Sequence, residues 1–115
     1  MAKADRLERM DVRRAELEGE FSDALIAALR VTAAGSWGLF GHTLDRVART
    51  KAAPVIENLT ELGETIDGVR QQLGMEPFAL YGEFLASRGP VPSSAVGEPK
   101  QALAWLKRLG VEAAG

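Results

Sequence analysis

The chain has 115 residues, of which 46% are apolar, 26% charged and 6% aromatic, with 12 Gly, 5 Pro, one His and no Cys. A chain of this length forms one domain around one core, and without cysteine it has no disulfide framework, thiolate nucleophile, zinc-thiolate site or iron-sulfur cluster. Fourteen Lys and Arg against sixteen Asp and Glu leave a formal charge of −2, a balance that favours neither nucleic acid nor an anionic membrane as partner. The first twenty residues hold no apolar run of signal-peptide length, and nothing downstream approaches ~18 uninterrupted apolar residues, so the expected location is cytoplasmic, away from membranes.

The first expected element is a long helix from about Ala4 to Ala33. Leu7, Met10, Leu17, Phe21, Ala24, Ala28 and Val31, with Arg14 filling the gap between Met10 and Leu17, step by three and four residues, the spacing of a coiled-coil seam. Leu25, Ile26 and Leu29 widen the stripe in the second half, which predicts burial on more than one side from Phe21 onward. The first twenty residues carry five bases and six acids, so residues 1 to 16 are expected to project or fray unless a partner chain covers Leu7 and Met10. Residues 17 to 110 form the expected domain, and residues 111 to 115 a loose tail.

Gly35 ends the helix, since glycine is favoured just past a C-terminus, where the backbone turns left-handed. Gly35-Ser36-Trp37-Gly38-Leu39-Phe40-Gly41 then places three glycines three apart among large apolar residues. The run is too glycine-rich for a regular helix and too apolar for an ordinary solvated loop. One reading has the glycines letting the chain fold tightly, so that Trp37, Leu39 and Phe40 plug one end of a bundle. Another exposes Trp37 and Phe40 as interface anchors.

Thr43 is a plausible N-cap for a short helix from Leu44 to about Ala52, and Pro54 either starts a new helix or kinks a continuous one. Val55, Leu59, Leu62, Ile66, Val69 and Leu73 then step by four and three, the cleanest periodicity in the chain. Gly63 and Gly68 interrupt it, each at a cost of about 1 kcal/mol relative to Ala, and close approach of another helix would account for them. Gly74 closes this helix, Pro77 opens the next, which runs to Arg88, and residues 89 to 99 read as an extended connector. Pro99 begins a last helix with Ala102, Leu103, Leu106 and Leu109 on one face and Gly110 beyond it. No strand is expected, so the class is all-α, an irregular bundle of about five helical segments with a long N-terminal helix.

Candidate chemistry is sparse. His42 is the only imidazole, which removes every two-histidine metal motif, and its spacing from Ser36 and Asp45 matches no nucleophile arrangement. Neither a cofactor nor a metal is expected. A ligand site around the Trp37 to His42 loop would use Ser36 and His42, with Arg46 or Arg49 holding an anion. Gly35, Gly38 and Gly41 precede a helix as phosphate-binding loops do, yet no Lys follows and no strand comes before. Glu57, Glu61 and Glu64 repeat at helical spacing as a solvated acidic face, and residues 54 to 89 carry a local charge of −4.

Gln72-Leu73-Gly74-Met75-Glu76-Pro77 resembles the turn of a helix-turn-helix, although Arg70 stands where that motif wants a small buried residue. The helix that follows is also poor in bases for phosphate contacts. The stretch Ala34-Gly35-Ser36-Trp37-Gly38-Leu39-Phe40-Gly41-His42, at the end of a long helix rich in Ala and Leu, resembles a family of small helical bacterial proteins, mainly from proteobacteria. The likeness covers residues 20 to 50 and implies no activity.

The function expected from these residues is non-enzymatic: self-association as a homodimer, or docking onto another protein, through helical seams. Leu7, Met10, Leu17, Trp37 and Phe40 are the interface candidates. A ligand or enzymatic site at Ser36, His42, Arg46 and Arg49 is the alternative, with DNA binding through the helix-turn-helix-like turn the third reading.

Overall fold

The computed structural model describes residues 2–35, 38–40, 46–88 and 98–112, with backbone alone at Ala2, Lys3, Ala48, Arg49 and Glu98. Every element among the described residues is a helix: α1 Ala2–Ala33, α2 Arg46–Gln72, α3 Ala79–Ser87 and α4 Glu98–Leu109. The all-α expectation therefore holds, with four helices in place of five segments.

The difference lies at Pro54, which sits inside α2 rather than between two helices. Proline lacks the N–H that would bond to the Thr50 carbonyl, and its ring crowds that carbonyl. Here Pro54 is on the exposed side of the helix, while Ala52 and Leu59 on either side are fully buried. Water can reach the orphaned carbonyl, and burial of the flanking residues holds both halves of α2 in one rod.

Helix ends follow the glycine pattern closely. Gly35, Gly74 and Gly110 have φ of 91°, 72° and 73°, the left-handed conformation that glycine adopts without a Cβ penalty. After α2, the Met75 N–H bonds to Arg70 O at 2.8 Å and the Gly74 N–H to Gln71 O at 3.1 Å, the paired bonds of a Schellman motif. The same pair closes α4, with the Val111 N–H on Leu106 O at 3.0 Å and the Gly110 N–H on Lys107 O at 3.1 Å. The start of α3 differs from expectation: the helix opens at Ala79 rather than Pro77, with Phe78 as the N-cap, whose N–H donates to Asp67 Oδ1 of α2 at 2.8 Å.

α1 is the spine of the molecule, with both α2 and α4 packed along it. Its core-facing side contributes Leu17, Phe21, Leu25, Ala28 and Leu29, which meet Leu59 and Ile66 of α2, Tyr81 and Phe84 of α3, and Ala102, Trp105 and Leu106 of α4. Phe21 is central, with Phe78 and Tyr81 edge-on to it at centroid distances of 5.5 and 5.8 Å, the geometry that the ring quadrupole prefers. Gly63 permits this arrangement, because a Cβ there would overlap the Tyr81 ring. Close approach thus explains Gly63 but not Gly68, where a Cβ would meet nothing.

The molecule measures 55 × 27 × 22 Å, and α1 alone accounts for about 48 Å of that length at 1.5 Å per residue. At the chain end, Val111 is half-buried and Arg30 Nε donates to Glu112 O at 3.0 Å, so the first two residues of the expected loose tail are tied to α1.

Candidate functional site

Four charged side chains mark where the cover on α1 ends. Glu18 Oε2 accepts from Arg70 Nη1 of α2 at 2.6 Å and lies 3.0 Å from Arg14 Nη1, while Arg14 Nε donates to Asp11 Oδ1 at 2.9 Å. Arg14, Glu18 and Arg70 are only 16%, 19% and 16% exposed in their side chains. Bonds of this kind between ionised groups are short and strong, and partial burial spares them from salt screening. The Asp11 and Glu18 carboxylates together push the Arg14 pKa above its ordinary value, the Asp11 hydrogen bond being the larger cause.

Arg70 also donates through Nε to the Glu76 carbonyl and stacks over the Phe78 ring at 5.8 Å. One guanidinium therefore holds the end of α2, the turn at residues 73–77 and the Glu18 level of α1 together. The large side chain that spoils the helix-turn-helix likeness is the bolt of this corner. α3 itself buries Tyr81 and Phe84 in the core, and its Glu83 pairs with Arg108 of α4 at 2.7 Å.

Beyond that corner, residues 4–9, 11–13, 15 and 16 are exposed and Met10 is half-buried. Leu7 is 38% exposed. At 3.6 residues per turn, Leu7, Met10 and Arg14 lie on the same face that further along buries Leu17, Phe21, Leu25 and Ala28. Beyond Arg14, past the end of its cover, this face of α1 thus turns apolar again at Met10 and Leu7. Val12, though 57% exposed, is on the opposite side.

The interface candidates separate accordingly. Leu7 and Met10 lie on the projecting part, whereas Leu17 is 4% exposed and Phe40 fully buried, so both are used by the chain's own core and are not available as exposed anchors. Leu39 and Phe40 are fully buried in the core cluster, and Arg88 Nε holds their segment by donating to Leu39 O at 3.0 Å. Trp37, Ser36 and His42, and the Arg49 side chain, lie outside the described residues. Arg46, the remaining ligand candidate, is exposed at the first turn of α2, where its hydroxyl neighbour Thr50 bonds back to the Arg46 carbonyl at 2.8 Å.

Glu57, Glu61 and Glu64 are all exposed on α2, as expected of a solvated face. Among the described residues no group of three or more His, Asp or Glu side chains could hold a metal ion, and no helix is long and apolar enough to cross a membrane. What sequence reasoning missed is the Glu18–Arg70 pair. The spacing of Arg14 and Glu18, one helical turn apart, signals an ion pair within α1, but nothing local points from Glu18 to Arg70, fifty-two residues away. No protein family, curated protein or solved structure matches the chain.

Proposed function

We propose that this protein is a non-enzymatic interaction module that associates through the projecting first half of α1. The observation that carries this reading is the return of apolar residues, Met10 and Leu7, to the core-facing side of α1 beyond Arg14, past the point where the Glu18–Arg70 corner ends its cover. A helix face that is apolar where its own domain has stopped covering it gains most by burying that face against another chain. Seams of this type pair with a second helix of like pattern, and a second copy of the chain is the simplest source of one.

Light scattering after size exclusion, across a range of concentrations, tests the reading on the full chain and on Leu7→Glu. A dimer that Leu7→Glu converts to monomer, with helical content unchanged, is the expected result. A dimer indifferent to Leu7→Glu, or a full chain that stays monomeric throughout, overturns self-association through this face.

A further inference from the structure

The charges beside the projecting stripe are sorted by side. With Leu7 and Met10 at the a and d positions of a heptad, Arg6 and Arg13 fall at g and Arg9 at c, all on one flank, while Glu8 falls at b and Asp11 at e on the other. All five are exposed. Over residues 4 to 13 one flank of the seam is thus basic and the other acidic, with Arg13 also paired to Glu16 of its own flank at 3.3 Å.

This sorting distinguishes the two ways in which copies can pair. Two parallel helices related by an axis along the seam bring the g flank of each against the e flank of the other, so that Arg6 faces Asp11 of the second copy on both sides. Two antiparallel helices bring like flanks together, which sets Arg6 against Arg13 of the second copy and leaves Asp11 facing Ala4. Like charges directly opposed are destabilising by about as much as opposite charges stabilise.

We infer that two copies of this chain pair in parallel through residues 4 to 13 of α1, with the basic flank of each helix on the acidic flank of the other. The inference rests on the self-association reading above and adds orientation and register to it. The contact stops near Arg14, because from Glu18 onward the same face is taken by α2 and by the turn bolted through Arg70. Above that level the two bodies diverge from a common stem, on the same side of the dimer. The turn at 73–77, which carries Met75 at 36% exposure, stands at the fork.

Arg6→Glu gives opposite signs for the two orientations. In a parallel pair it replaces two Arg–Asp attractions by two Glu–Asp repulsions, weakening association by about tenfold at low salt; in an antiparallel pair it relieves Arg–Arg repulsion and strengthens association. Arg6 is exposed, so the substitution leaves the fold intact. Because the chain has no cysteine, Asn58→Cys, at an exposed site on α2, accepts a single spin label for a distance measurement between copies. At 1.5 Å per residue, antiparallel stems place the two labels beyond about 60 Å, and parallel stems bring them under about 45 Å.

A dimer weakened by Arg6→Glu with a short label distance is the expected result. A dimer that Arg6→Glu leaves unchanged or strengthens, or whose labels are far apart, overturns the parallel orientation while self-association stands. A monomer at every concentration overturns both.

Discussion

Glu18 of α1 and Arg70 of α2 meet at 2.6 Å, fifty-two residues apart in the chain, and their contact sets how much of α1 the rest of the molecule covers. Arg14 reaches the same Glu18 oxygen from one turn away. One carboxylate thus meets two guanidinium groups, and removing it leaves Arg70 without a carboxylate partner among the described residues and Arg14 with Asp11 alone. Glu18→Ala is expected to destabilise the fold by about 1 to 3 kcal/mol, between the values for an exposed and a buried pair because the groups keep some solvent contact. Thermal unfolding checks this, at about 4 °C per kcal/mol for a domain of this size; an unchanged Tm would show that the corner is held by the Schellman turn and Phe78 alone.

The two interior glycines of α2 are expected to respond in opposite ways. Gly63→Ala drives a methyl group into the Tyr81 ring, and overpacking of this kind costs about 1 to 3 kcal/mol. Gly68→Ala meets open space and gains about 0.5 to 1 kcal/mol from helix propensity. Denaturant titration of the two single variants should place their midpoints on either side of the parent's.

Pro54→Ala restores an N–H that can bond to the Thr50 carbonyl in a helix that is already continuous. The propensity gain reaches about 3 kcal/mol in a free helix interior, and loss of proline's restraint on the unfolded chain takes back about 1 kcal/mol. A net rise in stability of about 1 to 2 kcal/mol is expected, read as a higher Tm. A fall would mean that the proline shapes the path of α2 in a way the core depends on.

Tyr81 provides a pH signature. Burial, and then the nearby Glu64 and Asp67 charges, raise its pKa above the ordinary 10.0. In the folded state the phenol holds its proton to higher pH than in the unfolded chain, so above pH 10 the unfolded state releases more protons and stability falls. The contribution is fully present below pH 10 and is lost as pH climbs from there through the raised value. Stability measured from pH 8 upward should fall more steeply above pH 10 for the parent than for Tyr81→Phe.

Much of the fold was legible in local pattern. The long first helix, the glycine that ends it, the periodic second helix with its Gly74 stop and the short last helix with Gly110 beyond it all follow from spacing and backbone chemistry. These features depend only on residues within a few turns of one another. The surplus of apolar stripe at Leu7 and Met10 was visible for the same reason, since a heptad pattern reports which face is apolar.

Tertiary structure decided which part of that face the chain covers itself. The stripe treats Leu7 and Leu17 alike, but α2 ends at Gln72, bolted by Arg70 to Glu18, and so Leu17 is buried while Leu7 stays open. It decided, too, that Pro54 lies within one helix, because the burial of Ala52 and Leu59 outweighs the lost hydrogen bond. Gly63 and Phe40 owe their roles to partners distant in sequence, the Tyr81 ring and the core that closes over Leu39 and Phe40. Periodicity records the preference of each residue for water or for burial; where each helix stops against its neighbour depends on long-range contacts that no local pattern encodes.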